Sequence, residues 1–303
     1  MKVLIVGLGS IASKHMSAIK KITSDVRFYA LRSSTSADEK KGVVNIFSWE
    51  EIGYYSFDFA IISNPSAIHA ATVQRLIPFG LPLFIEKPIF TELKGVEILE
   101  QLKAKKIKTY IACNLRFLES IQFIKKYLSN RRINEVNIYC GSYLPDWRPK
   151  VDFKKSYSAS KQLGGGVHID LIHEIDYAQW LFGKPDEVLS SFSSRSSLGI
   201  EAYDYAHYLL GYSKFKASII LNYFRRDSKR TLEIVFEDHT IKVDLLQNKV
   251  FKNDTVIFAS KQSILNTYEN QMSFFINEII TNGVEFNTAH EAYETLKICL
   301  QRD

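Results

Sequence analysis

Val3-Leu4-Ile5-Val6-Gly7-Leu8-Gly9-Ser10-Ile11-Ala12 opens the chain with four apolar residues, two glycines at alternate positions and an alanine three residues on. The apolar run is short and rich in β-branched residues, the pattern of a strand buried on both faces of a parallel sheet. The six residues after it have the form Gly-x-Gly-x-x-Ala. Gly7 permits a tight turn, Gly9 lets a pyrophosphate approach the backbone, and Ala12 allows a helix, expected through Lys21, to pack closely on the strand. Ser10 and Ile11 begin that helix, whose N-terminus would face the negative charge of a dinucleotide. A second strand, Val26 to Leu31, arrives at the separation a βαβ unit requires, so an α/β dinucleotide-binding fold is expected.

The end of that second strand carries coenzyme information. NAD-selective sites place Asp or Glu there, whereas this chain has Arg32-Ser33-Ser34 and no acidic residue before Asp38. Arg32 and Ser33 suit a ribose 2′-phosphate, which predicts a preference for NADP(H). The alternative is a surface arginine beside a dual-specificity NAD(P) site.

Further strands are expected at Val44 to Phe47, Phe57 to Ser63, Leu83 to Ile85 and Thr109 to Cys113. Helices are expected near Trp49 to Ile52, from Ile68-His69 onward, and from Leu93 to Lys105. Taken with Gly7 and Arg32, the residues at the strand exits are Asn64-Pro65, Glu86-Lys87 and Asn114, all polar or turn-forming. They fall on the rim where open α/β sheets bind ligands, and Glu86-Lys87-Pro88 is where a reactive lysine would be held. His69 reads as a packing residue beside the cofactor loop rather than as an acid or base.

At 303 residues the chain exceeds the length of one typical domain, and 46% hydrophobic content supplies ample core. The expected division is a doubly wound parallel Rossmann domain over 1–115 and an α+β domain with an open, mostly antiparallel sheet over 116–303. Strands of the second domain are expected at Ile133 to Gly141, Glu187 to Ser194, Tyr203 to Leu210, Lys216 to Tyr223, Arg230 to Phe236 and Thr240 to Leu245. Helices are expected at Ser120 to Leu128, Val167 to Phe182, Tyr268 to Thr281 and Thr288 to Leu300. On the helix after Gly164-Gly165-Gly166, Asp170, His173, Glu174 and Tyr177 stand at i, i+3, i+4 and i+7 and would share one face.

The formal charge of +6 is carried by scattered pairs such as Lys125-Lys126 and Arg225-Arg226, without the concentration a nucleic-acid footprint needs. Three cysteines, Cys113, Cys140 and Cys299, show no metal-ligand spacing, so no metal is expected. The N-terminal apolar run is too short for a signal peptide core and no window approaches a membrane span, so a soluble cytoplasmic protein is expected.

These motifs together resemble the Gfo/Idh/MocA oxidoreductases, NAD(P)-dependent sugar and cyclitol dehydrogenases that include glucose-fructose oxidoreductase and inositol dehydrogenase. The resemblance runs over essentially the whole chain: the glycine fingerprint, Asn64-Pro65 with His69, Glu86-Lys87-Pro88, Asn114 with Arg116-Phe117, and Gly164 to Asp176. It implies that the face of the second sheet covers the nicotinamide and that Lys87, His173 and a carboxylate act on the substrate. Asn64, Pro65, His69, Glu86, Lys87 and Asn114 would join the glycine loop in holding the cofactor. The family's commoner Asp-x-x-x-His is shortened here, since Asp170 and His173 are separated by only two residues, and Asp170 and Glu174 compete for the carboxylate role.

This short form, with Ser142 to Arg148 and Ser156 to Ala159, resembles a subgroup associated with bacterial surface-sugar and nonulosonic-acid biosynthesis. It implies an activated or acidic sugar as substrate, with Arg148, Lys154 and Lys155 either holding a phosphate or carboxylate or serving as ordinary surface charge. The implied reaction is reversible hydride transfer between a sugar carbinol and the nicotinamide, with Lys87 or His173 taking the proton. The family also implies a homodimer or homotetramer. Two other readings are glycoside cleavage through transient oxidation and a non-catalytic cofactor sensor like the yeast galactose-regulon repressor. Retention of both Lys87 and His173 argues against the sensor.

Overall fold

A computed structural model describes residues 1–34, 39–129 and 131–301; Asp38 lies outside the described residues. Along the chain run β1 (Lys2–Val6), α1 (Ser10–Ile22), β2 (Arg27–Leu31), β3 (Val43–Ile46), β4 (Phe59–Ile62), α2 (His69–Leu76), β5 (Leu83–Ile85), α3 (Val96–Ala104) and β6 (Thr109–Ile111). There follow α4 (Glu119–Tyr127), β7 (Ile133–Tyr143), α5 (Val167–Asp170), α6 (His173–Phe182), β8 (Glu187–Ser193), β9 (Tyr205–Gly211), β10 (Lys216–Asn222) and β11 (Phe224–Phe236). The last elements are β12 (Thr240–Asp244), β13 (Lys249–Lys252), β14 (Thr255–Ala259), α7 (Ile264–Phe274), a π-helix (Phe275–Thr281) and α8 (Ala289–Leu300). Among the described residues no helix is long and apolar enough to cross a membrane.

The first sheet is six-stranded and wholly parallel in the order β3-β2-β1-β4-β5-β6, the expected doubly wound arrangement. β1 from Val3, with β4 and β5, is buried on both faces, which is why these strands read as unbroken apolar runs. The second sheet has eight strands in the order β14-β13-β12-β11-β7-β10-β9-β8, antiparallel except where β7 and β10 run parallel. Val136, Ile138 and Cys140 alternate inward from β7 to form its core.

Three expectations are corrected and one hairpin is added. The chain does form two compact units, but the single cut at 115/116 is replaced by a discontinuous division: 1–114 with 264–294, and 115–263 with 295–303. Phe275 shows why the later segment belongs to the first unit, because its ring lies 5.3 Å from those of Phe59 and Phe84 and 6.0 Å from that of Tyr110. The helix expected over Tyr268 to Thr281 changes to π geometry at Phe275, and the β13-β14 hairpin was not anticipated. The helix expected from Val167 to Phe182 is interrupted at Leu171, which has φ −100° and ψ 28°.

That interruption separates two demands. Asp170 meets Tyr223 at the β10-β11 junction, while Glu174 meets Arg230 on β11. On one continuous helix these two residues would point within about 40° of each other.

The Phe275 ring closes the aromatic core between the parallel sheet and the returning segment. Phe275→Ala is expected to cost about 3–5 kcal/mol, the range for truncating a buried aromatic, measured as a lowered urea midpoint.

Candidate functional site

Two clusters of polar side chains stand out, one in each unit. In the first unit, Gly7 leaves β1 with φ +97°, and a Cβ there would stand 2.3 Å from the Asn64 backbone nitrogen. Only glycine lets the β1 and β4 exits come this close. The contact is braced by Ser63, whose hydroxyl donates to the Gly7 carbonyl at 2.8 Å. Gly9 is the N-cap of α1 and supplies no side-chain cap, and the first turn carries no acidic residue. The backbone N–H groups of Ser10, Ile11 and Ala12 are thus left for an anion, the electrostatic role of a helix N-terminus. A Cβ on Gly9 would meet nothing within 4 Å, so the approach to that terminus is open.

Asn64 donates its amide N–H to Thr72 at 2.7 Å, while its buried Oδ1 has no hydrogen-bond partner among the described residues. The glycine loop and the α1 N-terminus fit the NAD(P) expectation and would hold the cofactor, while the Asn64 amide is turned into the fold. His69 is fully buried, its ring nitrogens 3.0 Å from the Asn64 carbonyl and 2.9 Å from that of Pro88. Burial holds its pKa below the ordinary value, against the pull of those carbonyls. It ties the β4 exit, with Pro65 beside it, to the turn after β5, a packing role.

Lys87 follows β5 and is half-buried, and its peptide bond to Pro88 is cis. Its backbone N–H is accepted by Glu86 Oε2 at 3.2 Å. Glu86 Oε1 lies 2.5 Å from Nε2 of His15, a fully buried residue of α1 that sequence reasoning missed. The available signal was its place three residues after Ala12, on the same helix face. Arg32 follows β2, one guanidinium nitrogen 3.2 Å from Asn45 Oδ1, with Ser33 exposed beside it. Asn114 is buried and donates to Thr267 Oγ1 of α7 at 2.7 Å, which commits part of its amide to the fold.

In the second unit the anticipated polar stripe is divided. Asp170 is half-buried and accepts the Tyr223 hydroxyl at 2.5 Å. Burial, then the Asp170 charge, push the Tyr223 pKa well up, so Tyr223 stays a donor near neutral pH. The Trp147 ring packs edge-on against Tyr223 at 5.3 Å. His173 begins α6 and is half-buried.

Glu174 has no exposed surface and is gripped by Arg230 through two bonds of 2.6 and 3.1 Å. Its expected place on a substrate-facing stripe is therefore corrected to a buried ion pair. Tyr177 is likewise buried. Asp176 is taken by Arg116 in a second buried pair, at 3.0 and 2.7 Å. Gly165 admits the 157–160 loop, since a Cβ would stand 2.0 Å from the Tyr157 carbonyl. Arg148, Lys154 and Lys155 are exposed. Among the described residues no group of three or more His, Cys, Asp or Glu side chains gathers as a metal site.

With this geometry in view, two family models match: the oxidoreductase family with NAD-binding Rossmann fold over residues 1–113, and the GFO/IDH/MocA C-terminal domain over 121–242. The chain belongs to the Gfo/Idh/MocA family. Among relatives, scyllo-inositol 2-dehydrogenase (NADP(+)) IolW of Bacillus subtilis is 25% identical over 223 residues. That alignment covers 72% of this chain and 61% of the relative, so the chain spans less than two thirds of that protein's length. UDP-N-acetylglucosamine 3-dehydrogenase GnnA from Acidithiobacillus ferrooxidans superposes with a TM-score of 0.78 at 17% identity, over 99% of this chain and 95% of that one. The WlbA dehydrogenase from Bordetella pertussis, solved with NADH and UDP-GlcNAcA, superposes at 0.80 and 16% identity, over 98% and 93%. At these identities the structural likenesses establish the fold.

The Glu174-Arg230 pair generates two predictions. Arg230→Leu leaves a buried carboxylate without its partner and is expected to cost about 3–5 kcal/mol in chemical denaturation. Burial, followed by the neighbouring Glu174 charge, pushes the Cys140 thiol up to about 12. Cys140 should therefore resist iodoacetamide in the native protein at about pH 8 and react in urea, as read by mass spectrometry of its peptide.

Proposed function

We propose that this chain is an NAD(P)-dependent oxidoreductase acting on a hydroxyl-bearing carbon of a sugar, nucleotide sugar or related polyol. The observation that carries the reading is the first-unit rim. There an uncapped α1 N-terminus and the Gly7 approach share the exits of one parallel sheet with Lys87. The activities for which IolW and GnnA are named, on a cyclitol and on a UDP-sugar, support the substrate class. The short Asp170-His173 spacing supports the surface-sugar subgroup within it.

When bound, the nicotinamide supplies the hydride acceptor or donor. The chain supplies the proton chemistry. Lys87 stabilises charge developing on the substrate oxygen, and His173, a residue type that titrates near neutral pH, exchanges the proton. Asp170 fills the carboxylate role in preference to Glu174, because Glu174 is fully buried and neutralised by Arg230 while Asp170 is half-buried. The Tyr223 hydroxyl keeps Asp170 an acceptor that can orient a substrate hydroxyl or the imidazole.

NADP(H) is the preferred coenzyme on the strength of Arg32-Ser33 and the absence of an acidic residue at that strand end, and IolW carries the same coenzyme in its name. A homodimer or homotetramer belongs to the same reading. Leu189 and Leu209 are exposed and face each other as register partners on β8 and β9, an apolar pair suited to a subunit contact.

A panel of cyclitols, free sugars and UDP-sugars, assayed for nicotinamide reduction with each coenzyme, tests the proposal. At least one compound should be oxidised, with kcat/KM higher for NADP than for NAD. Failure of every member with both coenzymes would overturn the oxidoreductase reading, and clear NAD preference would overturn the role of Arg32. Lys87→Ala is expected to lower kcat by about 10² to 10³, the contribution of one preorganised group that stabilises developing charge. A variant within a few-fold of wild type would make Lys87 structural.

A further inference from the structure

His15 has no place in the reaction just described, yet its surroundings are specific. It lies on the buried face of α1 with Ala12, Met16 and Ile19, and its ring packs edge-on against Phe84 of β5 at 4.8 Å and near Tyr268 at 5.8 Å. Its Nε2 is 2.5 Å from Glu86 Oε1, while its Nδ1 is buried with no hydrogen-bond partner among the described residues. That asymmetry selects the tautomer. A proton on Nδ1 would be an unsatisfied buried donor, so the neutral ring carries its proton on Nε2 and donates it to Glu86.

The acceptor is also specific. Glu86 immediately precedes Lys87, its side chain is only 12% exposed, and its second oxygen accepts the Lys87 backbone N–H at 3.2 Å. One carboxylate thus receives a donor from α1 on one oxygen and the Lys87 main chain on the other. The helix whose N-terminus would hold the pyrophosphate and the peptide that carries the lysine are joined through a single side chain.

We propose that His15 is a positioning residue for Lys87, fixing the lysine's backbone relative to the cofactor helix through Glu86. The proposal rests on the reading of Lys87 given above. A purely structural histidine would need only some acceptor and some packing. This one spends its N–H on the residue that orients the proposed reactive group, and displacement of a catalytic group by about 1 Å is enough to slow a reaction by roughly 10²-fold.

Two substitutions separate positioning from packing. His15→Phe keeps an aromatic ring against Phe84 and removes the donor; His15→Gln retains a side-chain N–H of similar reach. With the best substrate from the panel, His15→Phe is expected to lower kcat by about 10- to 100-fold, the scale of a small misplacement, with little change in the substrate KM or in NADPH affinity by fluorescence titration. His15→Gln should recover most of the lost kcat even where its melting temperature matches that of His15→Phe. If His15→Phe does not fold, Glu86→Gln provides the same comparison from the acceptor side, with kcat again falling.

Wild-type kcat in either donor-less or acceptor-altered variant, or His15→Gln as slow as His15→Phe, would overturn the proposal while leaving the oxidoreductase reading intact. An inactive wild type would remove both.

Discussion

A parallel strand buried on both faces has no side on which to carry charge, and that constraint organises the first unit. β1 from Val3, β4 and β5 are closed to solvent along their length, so groups able to do chemistry are confined to the strand exits. Crowding there is then relieved by residue choice. Gly7 admits Asn64, Ser63 bonds back to Gly7, His69 bridges toward the Asn64 and Pro88 carbonyls, and His15 reaches Glu86. The rim is cross-braced by side chains from α1 and α2, the helices that come directly after two of those exits.

In the second unit, buried ion pairs perform the bracing. Arg116-Asp176 and Arg230-Glu174 each close with two bonds on acidic residues of α6. Such pairs need contribute little net stability, because desolvation offsets much of the Coulomb attraction. They do fix the rotation of the helix. With Glu174 and Asp176 both committed, the orientation of His173 at the first turn is set, and the break at Leu171 leaves Asp170 to Tyr223.

The division of the chain has its origin in the same packing. Residues 264–294 return to the first unit because Phe275 and Asn287 find their partners there, Asn287 donating to the Ile111 carbonyl at 2.7 Å beside the edge strand β6. Domain membership of this kind is a property of contacts between residues more than a hundred positions apart.

The sequence by itself determined the parallel sheet, the glycine fingerprint, the exits at Asn64, Lys87 and Asn114, and the family. Each is encoded locally, by period, by a glycine that its backbone angle requires, or by a residue's place after an apolar run. Only the tertiary structure decided that Glu174 is a buried partner of Arg230, that the helix breaks before His173, that residues 264–294 rejoin the first unit, and that His15 serves Glu86. Periodicity tells which way a side chain points from its own axis. What it meets there is supplied by the rest of the chain, 56 residues away for Glu174 and 71 for His15.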